Sequence, residues 1–319
     1  MTAFERYVLE EHVEDFNDGV ISRRELLRRV TLITGSLAAT MVVLEAMGCG
    51  TQPSGSAATP ASRATSTPQG FATPPAQPTS DGITVQPDDH RIKVETLEVK
   101  GADGALLMSY AARPASGKPA GGIVVVHENR GLVAHIKDVV RRVATAGFTG
   151  LSIDLLSRDG GADKLSDPAA YAAALGKRSA ADMVGDLRQA LTALSATGVG
   201  DKVGITGFCF GGGMVWNTLT AGAAAKAAVP FYGPAPQNIA GLATTSAAVF
   251  AIYAELDTRI TSTKDQIEAQ LKQSGRPYRI MVYPGVDHAF HNDTGPRYNA
   301  TQAEAAWVAA VGWFHQYVR

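Results

Sequence analysis

Gly207-Phe208-Cys209-Phe210-Gly211-Gly212 is the stretch on which the fold turns. An apolar strand-like run, residues 202–207, leads into it, and a helix-like run, residues 212–220, leads out. Strand, Gly-x-nucleophile-x-Gly, helix is the nucleophile-elbow pattern, with Cys where Ser is commoner. The turn is so tight that side chains at the flanking positions would clash, hence the glycines. Cys209 then stands at a helix N-terminus, where the dipole favours a thiolate. The Phe210 N–H points toward a developing oxyanion.

Outward from the elbow, strands and helices alternate. Residues 91–100 and 105–113 read as two strands about a Gly101–Gly104 turn. Residues 123–127, 149–154, 227–232, 247–253 and 278–283 read as further strands, mostly the continuous apolar runs of a buried parallel sheet. Helices are expected at 136–146, 169–176, 179–197, 263–274 and 300–317. In 179–197 the apolar face is Met183, Leu187, Leu191 and Leu194. The class is α/β, a mostly parallel central sheet with helices on both faces. Chemistry in such sheets belongs in the loops after the strands.

Two of those loops carry the residues a cysteine nucleophile needs. Asp257 follows the strand 247–253, and His288 follows 278–283. Nucleophile, acid, histidine is the chain order of α/β-hydrolases. Histidine relays a proton near neutral pH, and a carboxylate on its other nitrogen fixes the tautomer. Glu255 and Asp287 are rival acids, and Asp257 could instead cap the following helix.

Taken together, Gly-Phe-Cys-Phe-Gly-Gly, the later Asp and Asp287-His288-Ala289-Phe290 resemble the dienelactone hydrolase (carboxymethylenebutenolidase) family over about residues 91–319. The resemblance implies hydrolysis of a small-molecule ester or lactone through Cys209, His288 and Asp257; no cofactor or metal is expected, because no phosphate loop follows a first strand and His288 and His291 come with no regular ligand set. It implies that Glu128, in His127-Glu128-Asn129-Arg130-Gly131, is hydrogen-bonded to the resting thiol and takes its proton when substrate binds. It adds the Asn129 N–H to that of Phe210 in the oxyanion hole, and makes Arg158 a candidate for holding a substrate carboxylate. The second family arginine falls at Asn292, a departure that bears on dienelactone as substrate but not on ester or lactone cleavage. A broad carboxylesterase or small polyester hydrolase of the same fold is the nearest alternative. A non-catalytic surface lipoprotein is the alternative from another class.

The rest of the chain reads as a delivery system. Ser22-Arg23-Arg24-Glu25-Leu26-Leu27-Arg28-Arg29 precedes the weakly apolar run 30–47, which resembles a twin-arginine export signal read by its translocase. A permanent anchor is the competing reading, because the run is about as long as the ~17–25 residues a span requires. Ala46-Met47-Gly48-Cys49 loosely resembles a lipobox, which makes Cys49 a possible lipid anchor site. Residues 1–49 are thus the leader, 50–81 a Ser/Thr/Pro-rich tether that cannot offset its ordering entropy, and 82–319 the catalytic domain. The expected location is periplasmic or extracellular, with or without the membrane anchor. Two cysteines exclude a disulfide framework and any multi-cysteine zinc site. A net charge of −1 gives no basic surface for nucleic acid.

Overall fold

The computed structural model describes residues 3–47 and 84–319. Cys49 and the tether lie outside them. The described residues form two compact units: one takes in the chain start through Val8 and residues 84–319, the other the stretch from Leu9 to Met47.

Three helices begin the chain: α1 (Ala3–Asn17), α2 (Arg23–Thr34) and α3 (Leu37–Ala46). From Leu9 onward they build a small core of Leu9, Val13, Leu26, Val30 and Leu44. The apolar run expected to behave as one segment is broken. Gly35 closes α2 in the left-handed region (φ 78°), and the Ser36 side chain caps α3 by accepting from the Ala39 N–H. The two helices bend by 108° at that point. Thr40 shares hydrogen bonds with Thr31 and Thr34 at 3.0 and 2.9 Å. The polar residues that dilute the run are thus the ones that make the bend. No single helix among the described residues is long and apolar enough to cross a membrane, although α2 and α3 together meet the test by length and composition.

The strands that follow are β1 (Ile92–Glu95), β2 (Val99–Lys100), β3 (Leu106–Leu107), β4 (Ser109–Pro114), β5 (Gly122–Val126), β6 (Thr149–Ile153), β7 (Val203–Phe208), β8 (Ala227–Phe231), β9 (Ala248–Ala254) and β10 (Tyr278–Tyr283). Eight of them form one sheet in the order β1-β4-β6-β5-β7-β8-β9-β10. β1 and β4 run antiparallel, and β6 through β10 are parallel. The single strand expected at 91–100 is split. β1 pairs with β4 in the main sheet, while β2 pairs with β3 as a separate two-stranded ribbon about the Gly101–Gly104 turn.

Every residue of β5 to β9 is buried, which is why these strands read as unbroken apolar runs, whereas β10 lies at the edge and is half-exposed. Around the sheet pack α4 (Ala134–Thr145), the short α5 (Gly161–Lys164), α6 (Pro168–Gly176), α7 (Ala180–Leu194), α8 (Phe210–Thr220), α9 (Thr258–Thr261), α10 (Lys264–Ser274) and α11 (Ala300–Tyr317). α7 buries Met183, Leu187, Leu191 and Leu194 against β5 and β6; α11 buries Ala303, Ala306, Ala310 and Phe314 at helical spacing against β8 and β9. Strand order diverges at β5, one way to β6 and the other to β7. The carboxyl ends of β5 and β7 therefore flank a switch-point crevice, where open α/β sheets bind ligands.

Candidate active site

Cys209 sits between β7 and α8 with φ 58° and ψ −124°, a backbone conformation rare for a residue with a side chain. Such a position costs about 1–3 kcal/mol and persists only where the surroundings impose it. They do so here. A Cβ on Gly207 would come within 2.3 Å of the Gly211 carbonyl oxygen, one on Gly211 within 2.4 Å of the Val126 oxygen, and one on Gly212 within 2.5 Å of the Phe231 oxygen. The elbow is thus wedged against β5 and β8 through backbone alone. The Cys209 N–H donates to the Phe231 carbonyl at 3.1 Å. The thiol is 5% exposed, at the head of α8, whose first residue is Phe210.

Asp257 and His288 meet beside it. His288 Nδ1 is 2.6 Å from Asp257 Oδ2, with both side chains buried. Asp257 Oδ1 accepts from the Ile260 N–H at 3.3 Å, so one carboxylate caps α9 and orients the imidazole together. The rival acids are spent elsewhere: Glu255 accepts from the Gly285 N–H, and Asp287 from the backbone N–H of His288. A ring nitrogen of His288 lies within 4.8 Å of Cys209 Sγ. Burial works against a charged imidazole, but Asp257 and then the Cys209 side chain outweigh it and hold His288 well above its ordinary pKa. Ala289, next in the chain, also has positive φ, 63°, as does Tyr232 at 35°. Tyr232 packs edge-on to the His288 ring, 5.1 Å between centroids, and its buried hydroxyl has no hydrogen-bond partner among the described residues. A buried hydroxyl of this kind is visible only in three dimensions.

Glu128 follows β5, as expected, but its carboxylate is engaged differently from what the resemblance implies. Oε2 accepts from Asn292 Nδ2 at 2.7 Å, and Oε1 has no hydrogen-bond partner among the described residues. Among the described residues, neither the thiol nor Arg130 hydrogen-bonds it. Instead Asn292, at the departed arginine position, binds it from the loop after His288. The backbone here is braced by His127. Its Nε2 accepts from the Leu155 N–H at 3.1 Å, which leaves Nδ1–H to donate to the Glu128 carbonyl at 2.6 Å. Burial keeps this ring below its ordinary pKa, as a neutral brace requires. Asn129 follows Glu128, half-buried, close to the start of α8, because Gly211 also abuts the His127 carbonyl. His291 is a packing residue, its ring 4.9 Å from that of Phe208.

Arg158, the candidate for a substrate carboxylate, is engaged within the protein. Its guanidinium is committed to two aspartates: Nε donates to Asp103 at 2.8 Å, and Nη1 and Nη2 to Asp186 at 2.7 and 3.0 Å. Asp186 is fully buried, so the arginine serves as its counter-ion and ties the β2–β3 turn to α7. Gly101 has no room for a side chain because Arg158 Nη2 fills the place, 2.4 Å from a notional Cβ. A substrate carboxylate would have to break this clamp. Arg158→Ala should therefore lower stability by about 1–3 kcal/mol, the buried-pair loss discounted for a partly exposed arginine. At about 2–4 °C per kcal/mol, a calorimetric melt resolves it. An unchanged melting temperature with a raised KM would instead return Arg158 to the substrate.

A cavity of about 290 Å³ opens beside Glu128 and Asn292, lined also by Arg130, Val133, Leu165 and Pro168. Arg130 is exposed and makes no ion pair among the described residues.

A glycine-lined strand-to-helix elbow at the switch point of a mostly parallel sheet, with an aspartate–histidine pair in the loops after later strands, is the architecture of an α/β-hydrolase. Residues 107–318 match the Dienelactone hydrolase family, and the chain belongs to it, a family of hydrolases acting on ester or lactone bonds. A candidate carboxymethylenebutenolidase of Methylorubrum extorquens is 33% identical over 267 residues, 80% of this chain and 91% of its own. A namesake of Escherichia coli strain K12 is 31% identical over 268 residues, 80% of this chain and 97% of its own. Among solved structures, a candidate dienelactone hydrolase from Klebsiella pneumoniae superposes with a TM-score of 0.65 at 28% identity, covering 71% of this chain and 99% of that one. A dienelactone hydrolase-like promiscuous phosphotriesterase from metagenomic libraries shares the fold, with a TM-score of 0.60 at 23% identity over 71% of this chain and 99% of its own.

Proposed function

We propose that this chain hydrolyses small esters or lactones through a thioester on Cys209, after export by the twin-arginine translocase. The observation that carries the catalytic reading is the convergence of Cys209 and the His288–Asp257 pair at the carboxyl edge of the sheet. Cys209 Sγ attacks the carbonyl carbon, and the electron pair moves to the carbonyl oxygen, which the N–H groups of Phe210 and Asn129 receive. His288 is held toward its protonated form, so it is suited to be the acid that protonates the departing alkoxide. Glu128 Oε1, without a hydrogen-bond partner among the described residues, is the acceptor for the thiol proton as substrate enters. Neutral His288 then takes a proton from water as the oxygen attacks the thioester. The acid leaves, and Glu128 returns its proton to sulfur. The test is intact mass during turnover of a slow aryl ester. An acyl increment on the Cys209 peptide, lost in Cys209→Ala, is the expected result; an increment elsewhere or none with turnover intact removes the reading.

The cavity beside Glu128 suits a small acyl group, being at the lower end of ligand sites at roughly 300–1,000 Å³. With Arg158 clamped and Asn292 in place of the second arginine, Arg130 is the arginine that lines this cavity and can meet a substrate carboxylate there. Arg130→Ala should raise KM for a carboxylated lactone about tenfold while leaving a neutral ester unaffected, the value of one charge-assisted pair. Equal effects on both substrates would remove this role.

Export rests on Arg23 and Arg24, exposed at the start of α2 and without ion pairs among the described residues, whereas Arg28 and Arg29 pair with Glu25. Lysine at both positions 23 and 24 should leave the protein in the cytoplasmic fraction. Undiminished periplasmic or extracellular material would refute the twin-arginine route, and the mass of the exported N-terminal peptide reads whether Cys49 carries lipid.

A further inference from the structure

Phe4 and Tyr7 lie about one turn apart on α1, and both reach the elbow. The Tyr7 hydroxyl is 3.3 Å from Cys209 Sγ. Its ring is 6% exposed, with the Arg259 guanidinium carbon 4.9 Å from the ring centre. The Phe4 ring lies 4.5 Å from that of Phe210, tilted by 58°. Glu5, between them, abuts the end of α6, where a Cβ on Gly176 would come 3.1 Å from Glu5 Cγ. A nucleophile acts on a carbonyl brought to about 3–3.5 Å of it in line. A phenol oxygen already at hydrogen-bond distance from the sulfur holds that place. The contacts that seat it, a ring on Phe210 and a ring beneath the Arg259 cation, are the ones an aromatic substrate would use.

We propose that the Phe210–Arg259 surface beside Cys209 is an aromatic subsite, and that Phe4 and Tyr7 occupy it in the intact chain and exclude substrate. The inference deepens the reading of Cys209 as the nucleophile and rests on it. Both occupants precede Arg23 and Arg24 in the chain, so under the export reading proposed above, removal of the leader would also uncover the thiol and couple activity to delivery.

The test uses the full chain, its double variant Phe4→Ala/Tyr7→Ala, and Tyr7→Phe, which removes only the hydroxyl. Two readouts are taken: alkylation of Cys209 by iodoacetamide, followed on its own peptide so that Cys49 does not contribute, and kcat/KM for phenyl and methyl acetate. The double variant should alkylate roughly tenfold faster or more, as expected when a closed population is released. Tyr7→Phe should alkylate at an intermediate rate. The gain in kcat/KM should be larger for the phenyl ester. Unchanged alkylation in both variants, with melts matching the parent, would overturn the proposal, and equal gains on the two esters would overturn the aromatic subsite. Faster alkylation without hydrolysis of either ester would uphold the occupant and discard the nucleophile reading instead.

Discussion

Cys209→Ala should lower kcat/KM for ester cleavage at least about ten-thousand-fold, the scale on which removing a triad nucleophile leaves only binding and oxyanion stabilisation. The substitution is clean. Alanine keeps the Cβ, so the positive φ at 58° is neither relieved nor worsened, and the backbone bond from residue 209 to Phe231 survives. The glycine contacts that wedge the elbow do not involve the sulfur. A melt close to that of the parent, for a change that keeps the backbone contacts of the elbow and removes the sulfur with its Tyr7 contact, separates lost chemistry from lost fold. No other cysteine exists among the described residues to substitute for it. Residual activity within tenfold of the parent would mean that another group or a bound water performs the attack.

Asp257→Asn should cost about a thousand- to ten-thousand-fold in kcat, because the amide can offer its N–H to Nδ1 and so favour the wrong imidazole tautomer. The side chain stays nearly isosteric, and its oxygen can still cap α9 through the Ile260 N–H. The variant also reports on charge. His288 is buried, which alone lowers its pKa, and it is Asp257 first and Cys209 second that raise it above the usual value of about 6.5. Without the carboxylate charge the midpoint should fall, visible as an upfield-to-downfield imidazole titration moved to lower pH. Stability follows the same sign. A group whose folded pKa is raised stabilises fully below its unfolded pKa, and that contribution is lost as pH rises through the folded value. The parent should therefore lose stability on the alkaline side of neutrality, and Asp257→Asn should lose this dependence. An unmoved His288 midpoint would show that Asp257 does not set its charge.

Much of the architecture is legible in residue order because its causes are local. A buried parallel strand must be apolar on both faces, so β5, β6, β7, β8 and β9 stand out as runs, and glycines stand out where backbone meets backbone at the elbow. The order Cys209, Asp257, His288 is likewise written in the chain, since each follows a strand. The breaks are less legible. Residues 91–100 look like one strand by β propensity, yet they divide between two sheets because β4 offers a partner only as far as Glu95. The run 30–47 looks continuous by hydropathy, yet Gly35 and Ser36 supply a helix stop and a helix start.

What the sequence by itself determined is the sheet, the elbow and the residue types able to perform cysteine chemistry, all of which follow from spacing and backbone sterics within a few residues. Only the tertiary structure decided who holds whom. Asp257 rather than Asp287 or Glu255 faces the imidazole; Asn292 takes the Glu128 carboxylate; Arg158 closes on Asp103 and Asp186; and Tyr7 reaches Cys209 from 202 positions away. A charged or hydrogen-bonding side chain has several partners of suitable chemistry in any sequence. The choice among them falls to distance and burial, which exist only once strands far apart in the chain lie side by side.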